Sequence, residues 1–175
     1  MTAGLSDRDL YAMRDNGEID RVARGIYAHL GVMADFDLVE IAVRAPDATL
    51  CLTSALAHHD LIDDIPGAIH VALPRSHRPP RTQAPTQWSR FDPETYDVGR
   101  TTLSITEELA IGLYSPTRSI VDTYRLRHIH GVDQAHEALK RWLRLPGNQP
   151  NDLLKVAENF PIAVPIIRTT LQTLL

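Results

Sequence analysis

The chain has 175 residues, 43% of them hydrophobic and 23% charged, with a formal net charge of −4. That is globular composition, enough for one medium domain or two small ones, and the acidic balance gives no global pull toward nucleic acid. No run approaches the roughly 18 apolar residues of a membrane helix, the start MTAGLSDRDL lacks the basic and apolar regions of a secretory signal, and the lone Cys51 can close no internal disulfide. A cytoplasmic protein with no membrane association is expected.

Leu5 to His29 reads as a short helix, a glycine stop and a tight two-stranded ribbon. Ser6 followed three residues later by Asp9 resembles a capping box, and Leu5 with Leu10 can form a hydrophobic staple. Leu10 and Met13 share one face, whereas Arg8, Tyr11 and Arg14 lie toward the other. Asn16-Gly17 can end the helix through a left-handed residue. Ile19–Val22 and Ile26–Ala28 are strand candidates joined by Ala23-Arg24-Gly25. A helix followed at once by a basic hairpin is the recognition-helix-and-wing half of a winged helix-turn-helix. In that reading Arg8, Tyr11 and Arg14 meet DNA from the helix, and Arg21 and Arg24 from the wing. The competing reading is a small helix–hairpin that only packs on the rest. Only Met1–Leu5 precede Ser6, so a truncated winged helix is expected, with weaker operator binding than a form carrying two further helices upstream.

A second helix is expected from Asp35, with Phe36, Val39 and Val43 as its apolar stripe and Asp37 and Glu40 near its positive end. Ala45-Pro46 stops it. The boundary around Leu30–Ala34 divides the chain into 1–33 and 34–175. Ala48–Leu52 is a buried strand or the lead-in to a helix, Ala55–Asp60, capped by Thr53 or Ser54. Strands follow at Ile69–Leu73, Trp88–Phe91, Thr101–Ile105 and Leu109–Tyr114, suggesting a small, mostly antiparallel sheet. Between the first two, Arg75 to Gln87 is a basic, proline-stiffened loop. From Ser115-Pro116 onward the chain is helical. The apolar faces are Ile120, Val121, Tyr124 and Ile129; then Val132, Ala135, Leu139 and either Trp142 or Leu143. They continue with Leu153, Leu154 and Ala157 within Asp152–Phe160, and with Ile166, Ile167, Leu171 and Leu174 from Pro165 to the end. The whole is an α+β chain with a C-terminal helical bundle.

The candidate chemistry is sparse. His58-His59 with Asp60, Asp63 and Asp64, and His128, His130 and His136 near Asp133, fit no standard zinc spacing, and adjacent helical histidines point apart. Glu107-Glu108 are hairpin neighbours facing opposite ways. With no glycine-rich phosphate loop and no nucleophile elbow, nothing argues for an enzyme, a metal or a cofactor. Arg118 and Asp122 are either a surface pair worth roughly 0.3–0.5 kcal/mol or a buried link between helix and sheet, which the flanking Ile120-Val121 favour. Arginines at 75, 78 and 81 in the loop, and Arg125, Arg127, Arg141 and Arg144 on the helices, suit a protein partner, because the planar guanidinium makes directional interface contacts.

Four pieces in this order resemble the AbiEi antitoxins of AbiE-type (type IV) toxin–antitoxin systems. Arg21-Val-Ala-Arg-Gly-Ile-Tyr27 is similar to the wing motif. Ser54-Ala-Leu56 with His59-Asp-Leu61 is similar to the helix after the linker. Ile69-His-Val-Ala-Leu-Pro74 is similar to the next strand, and Thr117-Arg118-Ser-Ile-Val-Asp122 to the motif opening the C-terminal helices. The resemblance implies a winged helix that represses its own operon and a C-terminal domain that neutralises a nucleotidyltransferase-like toxin, without catalysis. The alternatives from other classes are a stand-alone transcriptional regulator with a ligand-sensing or dimerising C-terminal domain, and a metal-dependent enzyme using the histidines. A fragment starting near Ala34 is expected to fold by circular dichroism and to rescue growth of cells expressing the toxin.

Overall fold

A computed structural model of the chain describes residues 6–29 and 34–175. The capping box forms: Ser6 Oγ accepts from Asp9 N, and the Asp9 carboxylate accepts from Ser6 N at 3.1 Å, starting α1 (Asp7–Asp15). Gly17, at φ 71°, turns the chain out of it. Leu5 of the expected staple lies outside the described residues. β1 (Ile19–Ala23) and β2 (Ile26–His29) pair antiparallel, and Ala23 stands directly opposite Ile26. The hairpin turn is therefore the pair Arg24-Gly25 rather than three residues, with Gly25 at φ 79°.

α2 (Phe36–Arg44) is capped by the Asp35 carboxylate, which accepts from Asp37 N and Leu38 N. Its expected stripe is only partly inward. Val39 is buried, but Phe36 and Val43 stay 42% and 48% exposed, while Glu40, Ile41 and Ala42 are buried. The helix packs against β1 on one flank and β7 (Ala110–Tyr114) on another, so it covers two flanks rather than one stripe.

The main sheet holds β3 (Thr49–Leu50), β4 (Ile69–Pro74), β5 (Thr86–Phe91), β6 (Arg100–Ser104) and β7, in the order β5-β4-β3-β7-β6. β3 runs antiparallel to β4 but parallel to β7; β4 and β5 are parallel; β6 and β7 are antiparallel. The sheet is thus mixed, not mostly antiparallel. The cause is the 75–85 loop: it carries the chain back to the starting end of β4 before β5 begins, which makes it a crossover and not a hairpin. α3 (Leu52–His58) starts earlier than expected, with Cys51 at the cap and no side-chain cap bond. The Ser54 hydroxyl instead accepts from His70 N on β4 at 2.9 Å. The short α4 (Pro93–Tyr96), which no periodicity announced, places the Tyr96 hydroxyl 2.6 Å from Asp47 O and 2.9 Å from Ala72 O.

The C-terminal helices are α5 (Pro116–Arg125), α6 (Arg127–His130), α7 (Asp133–Arg144), α8 (Pro150–Ala157) and α9 (Val164–Leu174). Ile120, Val121, Tyr124, Ala135, Leu139, Trp142, Leu153, Ala157, Ile167 and Leu171 form one core with Leu56 and Leu61 of the α3 region. Ile129 is 62% exposed, because the chain breaks at Leu126 into α6 and leaves the stripe.

Arg118 is fully buried. Its Nε donates to Asp122 Oδ2 at 2.8 Å, and Nη1 donates to Thr95 O at 2.7 Å and Val98 O at 2.6 Å. The guanidinium carbon lies 4.3 Å from the ring centroids of both Tyr114 and Phe160. The pair is therefore the inward link, joining α5 to the α4 region. Arg118→Met is expected to cost about 3–5 kcal/mol in urea unfolding, since it removes one of the two guanidinium groups holding a buried carboxylate and leaves the Thr95 and Val98 carbonyls without their donor. Arg118→Lys, which keeps the charge and loses the fork, is expected to cost less.

Candidate functional site

The helix–hairpin displays its arginines because little of it is covered. α1 has no buried residue; Leu10 and Met13 are half-buried, and Arg8, Tyr11 and Arg14 are exposed. Arg14 is not free. It donates Nε and Nη2 to Asp15 Oδ1 at 3.1 and 2.7 Å, and its guanidinium stands 5.2 Å from the Tyr11 ring centroid. The side-chain bond from Asp15 raises the Arg14 pKa further. Arg8 has no ion partner among the described residues. Arg21 is exposed, with Nε 3.4 Å from Ala23 O, and Arg24 stands exposed on the turn. The backbone of that turn is fixed from behind, where Arg44 Nη2 donates to Arg24 O at 3.2 Å. Between Ser6 and His29 four arginines stand against the five acids Asp7, Asp9, Asp15, Glu18 and Asp20. The helix–hairpin therefore has no net positive field, and any attraction to phosphate is local to Arg8 and the turn.

A second arginine group lies on the 75–85 loop. Arg75, Arg78 and Arg81 are all exposed. Arg75 stands 3.8 Å from Asp92, and His77 Nδ1 lies 3.2 Å from Asp47. Arg78 and Arg81 have no ion partner among the described residues. The far end of the loop is anchored on Glu40, whose Oε2 accepts from Gln83 N at 2.8 Å and Ala84 N at 3.0 Å. Burial alone would raise the Glu40 pKa. The amide of Ala84, the Arg44 guanidinium and the amide of Gln83 outweigh it, so the carboxyl lies below its ordinary value. Sequence reasoning placed Glu40 only near a helix terminus. The available signal was its position inside the apolar run Leu38-Val-Glu-Ile-Ala-Val43.

The helical arginines fall into two kinds. Arg125 donates to Asp122 Oδ1 at 3.1 and 2.9 Å and lies 4.7 Å from the Phe91 ring centroid; Arg127 Nη1 donates to Tyr124 O at 3.0 Å. Both are engaged by their own surroundings. Arg141 grips Asp63 through both terminal nitrogens and also bonds Glu137. Arg144 is exposed, and the two line an open depression on α7 with Asp133, His136 and Lys140. The structure therefore brings Arg75, Arg78 and Arg81 together on one loop and Arg141 with Arg144 on one helix.

Among the described residues the histidines do not converge. The His58 and His59 rings meet edge-on at 5.3 Å, and His59 Nε2 lies 2.8 Å from Tyr114 O, with burial lowering its pKa. Among the described residues no group of three or more His, Cys, Asp or Glu side chains is placed to hold a metal ion. No described helix is long and apolar enough to cross a membrane.

Residues 1–28 match the family model described as a transcriptional regulator, AbiEi antitoxin. The match takes in α1 and the hairpin almost to the end of β2, and it includes the Arg21–Tyr27 motif that carried the resemblance. The other three motifs lie outside it. No curated protein matches the chain. The local pairing of Arg14 yields a direct expectation: Asp15→Asn should lengthen retention on a heparin column by freeing that guanidinium, and Arg8→Gln should shorten it.

Proposed function

We propose that this chain is a cytoplasmic antitoxin of the AbiEi kind that works through two separate faces. α1 and the β1–β2 hairpin act as the recognition helix and wing of a reduced winged helix, seat on operator DNA and repress the chain's own operon. The remainder, 34–175, binds and neutralises a nucleotidyltransferase-like toxin without chemistry of its own. The observation that carries this reading is the family match over 1–28, which coincides with a helix, a two-residue turn and an exposed Arg24 at its tip. The toxin-facing part rests on the loop arginines, which lie on a long connection anchored at its far end, where a binding segment is commonly found. Arg141 and Arg144 form a second contact patch for the toxin in this proposal, whereas Arg125 and Arg127 are engaged internally.

The match ends before α2, and its description names a regulator. That favours one second reading, a stand-alone transcriptional regulator whose C-terminal part senses a ligand or dimerises. Co-expression with the adjacent gene product separates the two. An antitoxin restores growth and co-purifies with the toxin; a stand-alone regulator does neither. Within the first reading, the triple change Arg75→Glu, Arg78→Glu, Arg81→Glu should abolish rescue and leave operator binding intact. Arg24→Gln should keep rescue while lowering the slope of log affinity against log salt by about 1 in gel shifts. Loss of both activities in either variant that remains folded would contradict the two-face assignment.

A further inference from the structure

Glu40 is 2% exposed in the middle of α2, between Val39 and the buried Ile41 and Ala42, and neither binding face uses it. Its oxygens are divided between segments far apart in sequence. Oε2 takes the two amides of Gln83 and Ala84 at the end of the basic loop, at 2.8 and 3.0 Å. Oε1 takes Arg44 Nε at 2.7 Å, one helical turn on. Arg44 also reaches outside the helix, donating Nη2 to Arg24 O at the hairpin tip. An unbroken run of hydrogen bonds therefore joins loop to tip through a buried charge.

A carboxylate so placed requires its donors, because an uncompensated buried charge is strongly destabilising. If the loop amides withdraw, the remaining donor is the Arg44 guanidinium. Its planar fork is made for two parallel bonds to a carboxylate, and swinging the rigid guanidinium to bring Nη2 onto Oε2 carries that nitrogen off its 3.2 Å line to the Arg24 carbonyl. The loop amides thus decide whether Arg44 can hold the tip. We propose that Glu40 and Arg44 are positioning residues that couple the 75–85 loop to the hairpin tip, so that a protein partner drawing the loop off Glu40 releases the tip, and a tip held on DNA retains the loop. The antagonism between partner and DNA rests on the proposed function; the link itself does not.

Amide hydrogen exchange on the full chain reads the link directly. Gln83→Pro deletes one donor, whereas Gln83→Ala retains it, and the Gln83 side chain is exposed. Gln83→Pro should raise exchange at residues 23–26 about fivefold, the effect of losing one hydrogen bond, while Gln83→Ala leaves it unchanged. In a Glu40→Gln background Gln83→Pro should add nothing, because a neutral carboxamide has no charge to recompensate. Equal tip exchange in the proline and alanine variants, or the same increment in the Glu40→Gln background, overturns the proposal. If Gln83→Pro loses its fold by circular dichroism, Arg44→Gln replaces it. That variant should raise tip exchange about fivefold and leave the β4 amides as in the parent; unchanged tip exchange overturns the link. A gel shift on operator DNA runs in parallel. A parent that binds no DNA removes the proposed function and leaves the link standing, whereas a parent that binds with unaltered tip exchange removes the link alone.

Discussion

The guanidinium of Arg118 is the point where the α4 turn, the end of β7 and the helical bundle meet. It sits on α5 and closes the carbonyls of Thr95 and Val98, which fixes the α4 turn. It faces Tyr114 from the end of β7 and Phe160 just past α8, which ties sheet and bundle to one point. Desolvating an arginine costs several kcal/mol. Here the cost is offset by one carboxylate, two carbonyls and aromatic faces, with Asp122 itself held from its other side by Arg125. Gly99 allows this approach: a Cβ there would stand 2.8 Å from Arg118 Cβ, and its φ of 68° favours glycine. The buried pair thus specifies how the bundle meets the sheet, and apolar packing around it supplies most of the stability.

α2 plays the corresponding part for the N-terminal half. It buries Ile41 and Ala42 in the sheet core and meets β1, where Ile19 and Ala23 are themselves buried. The hairpin is therefore seated on the body through its first strand, while α1 has no fully buried residue. Within one short stretch the firmly held part is the hairpin and the loosely held part is the helix. Local unfolding free energies follow such differences in buried apolar contact, so α1 is the element with the most freedom to adjust to whatever it touches.

Much of this was legible in the residues. Local signals were reliable where one short-range interaction decides the outcome. Examples are the Ser6–Asp9 box, glycine at the turn, Ser115-Pro116 opening α5, and the apolar spacing of Ile120, Val121 and Tyr124. Features set by distant partners were not. The parallel pairing of β4 with β5 depends on where a loop returns the chain, which strand composition does not encode. The exposure of Phe36 and Val43 depends on which flank of α2 the hairpin occupies. Glu40 looked like a dipole residue because two of its three donors lie more than forty positions away. The arginines were found as a set, but their sorting into exposed and engaged depends on carboxylates and carbonyls that only the fold brings near.

The placement of β3 bears on how the chain comes off the ribosome. This two-residue strand is the middle of the sheet, and Thr49 pairs with Ala72 on one side and Gly112 on the other. Its second neighbour is thus synthesised long after its first. Until β7 emerges, α2 has no completed sheet beneath it, and Ile41 and Ala42 stay without their final cover. Because non-local pairings are slow and leave apolar surface open while they wait, the nascent hairpin and α2 precede the core that seats them. The chain gains its native architecture only when residues near 114 have left the exit tunnel. A growing chain is therefore vulnerable to proteases and to mispairing over most of its first two thirds.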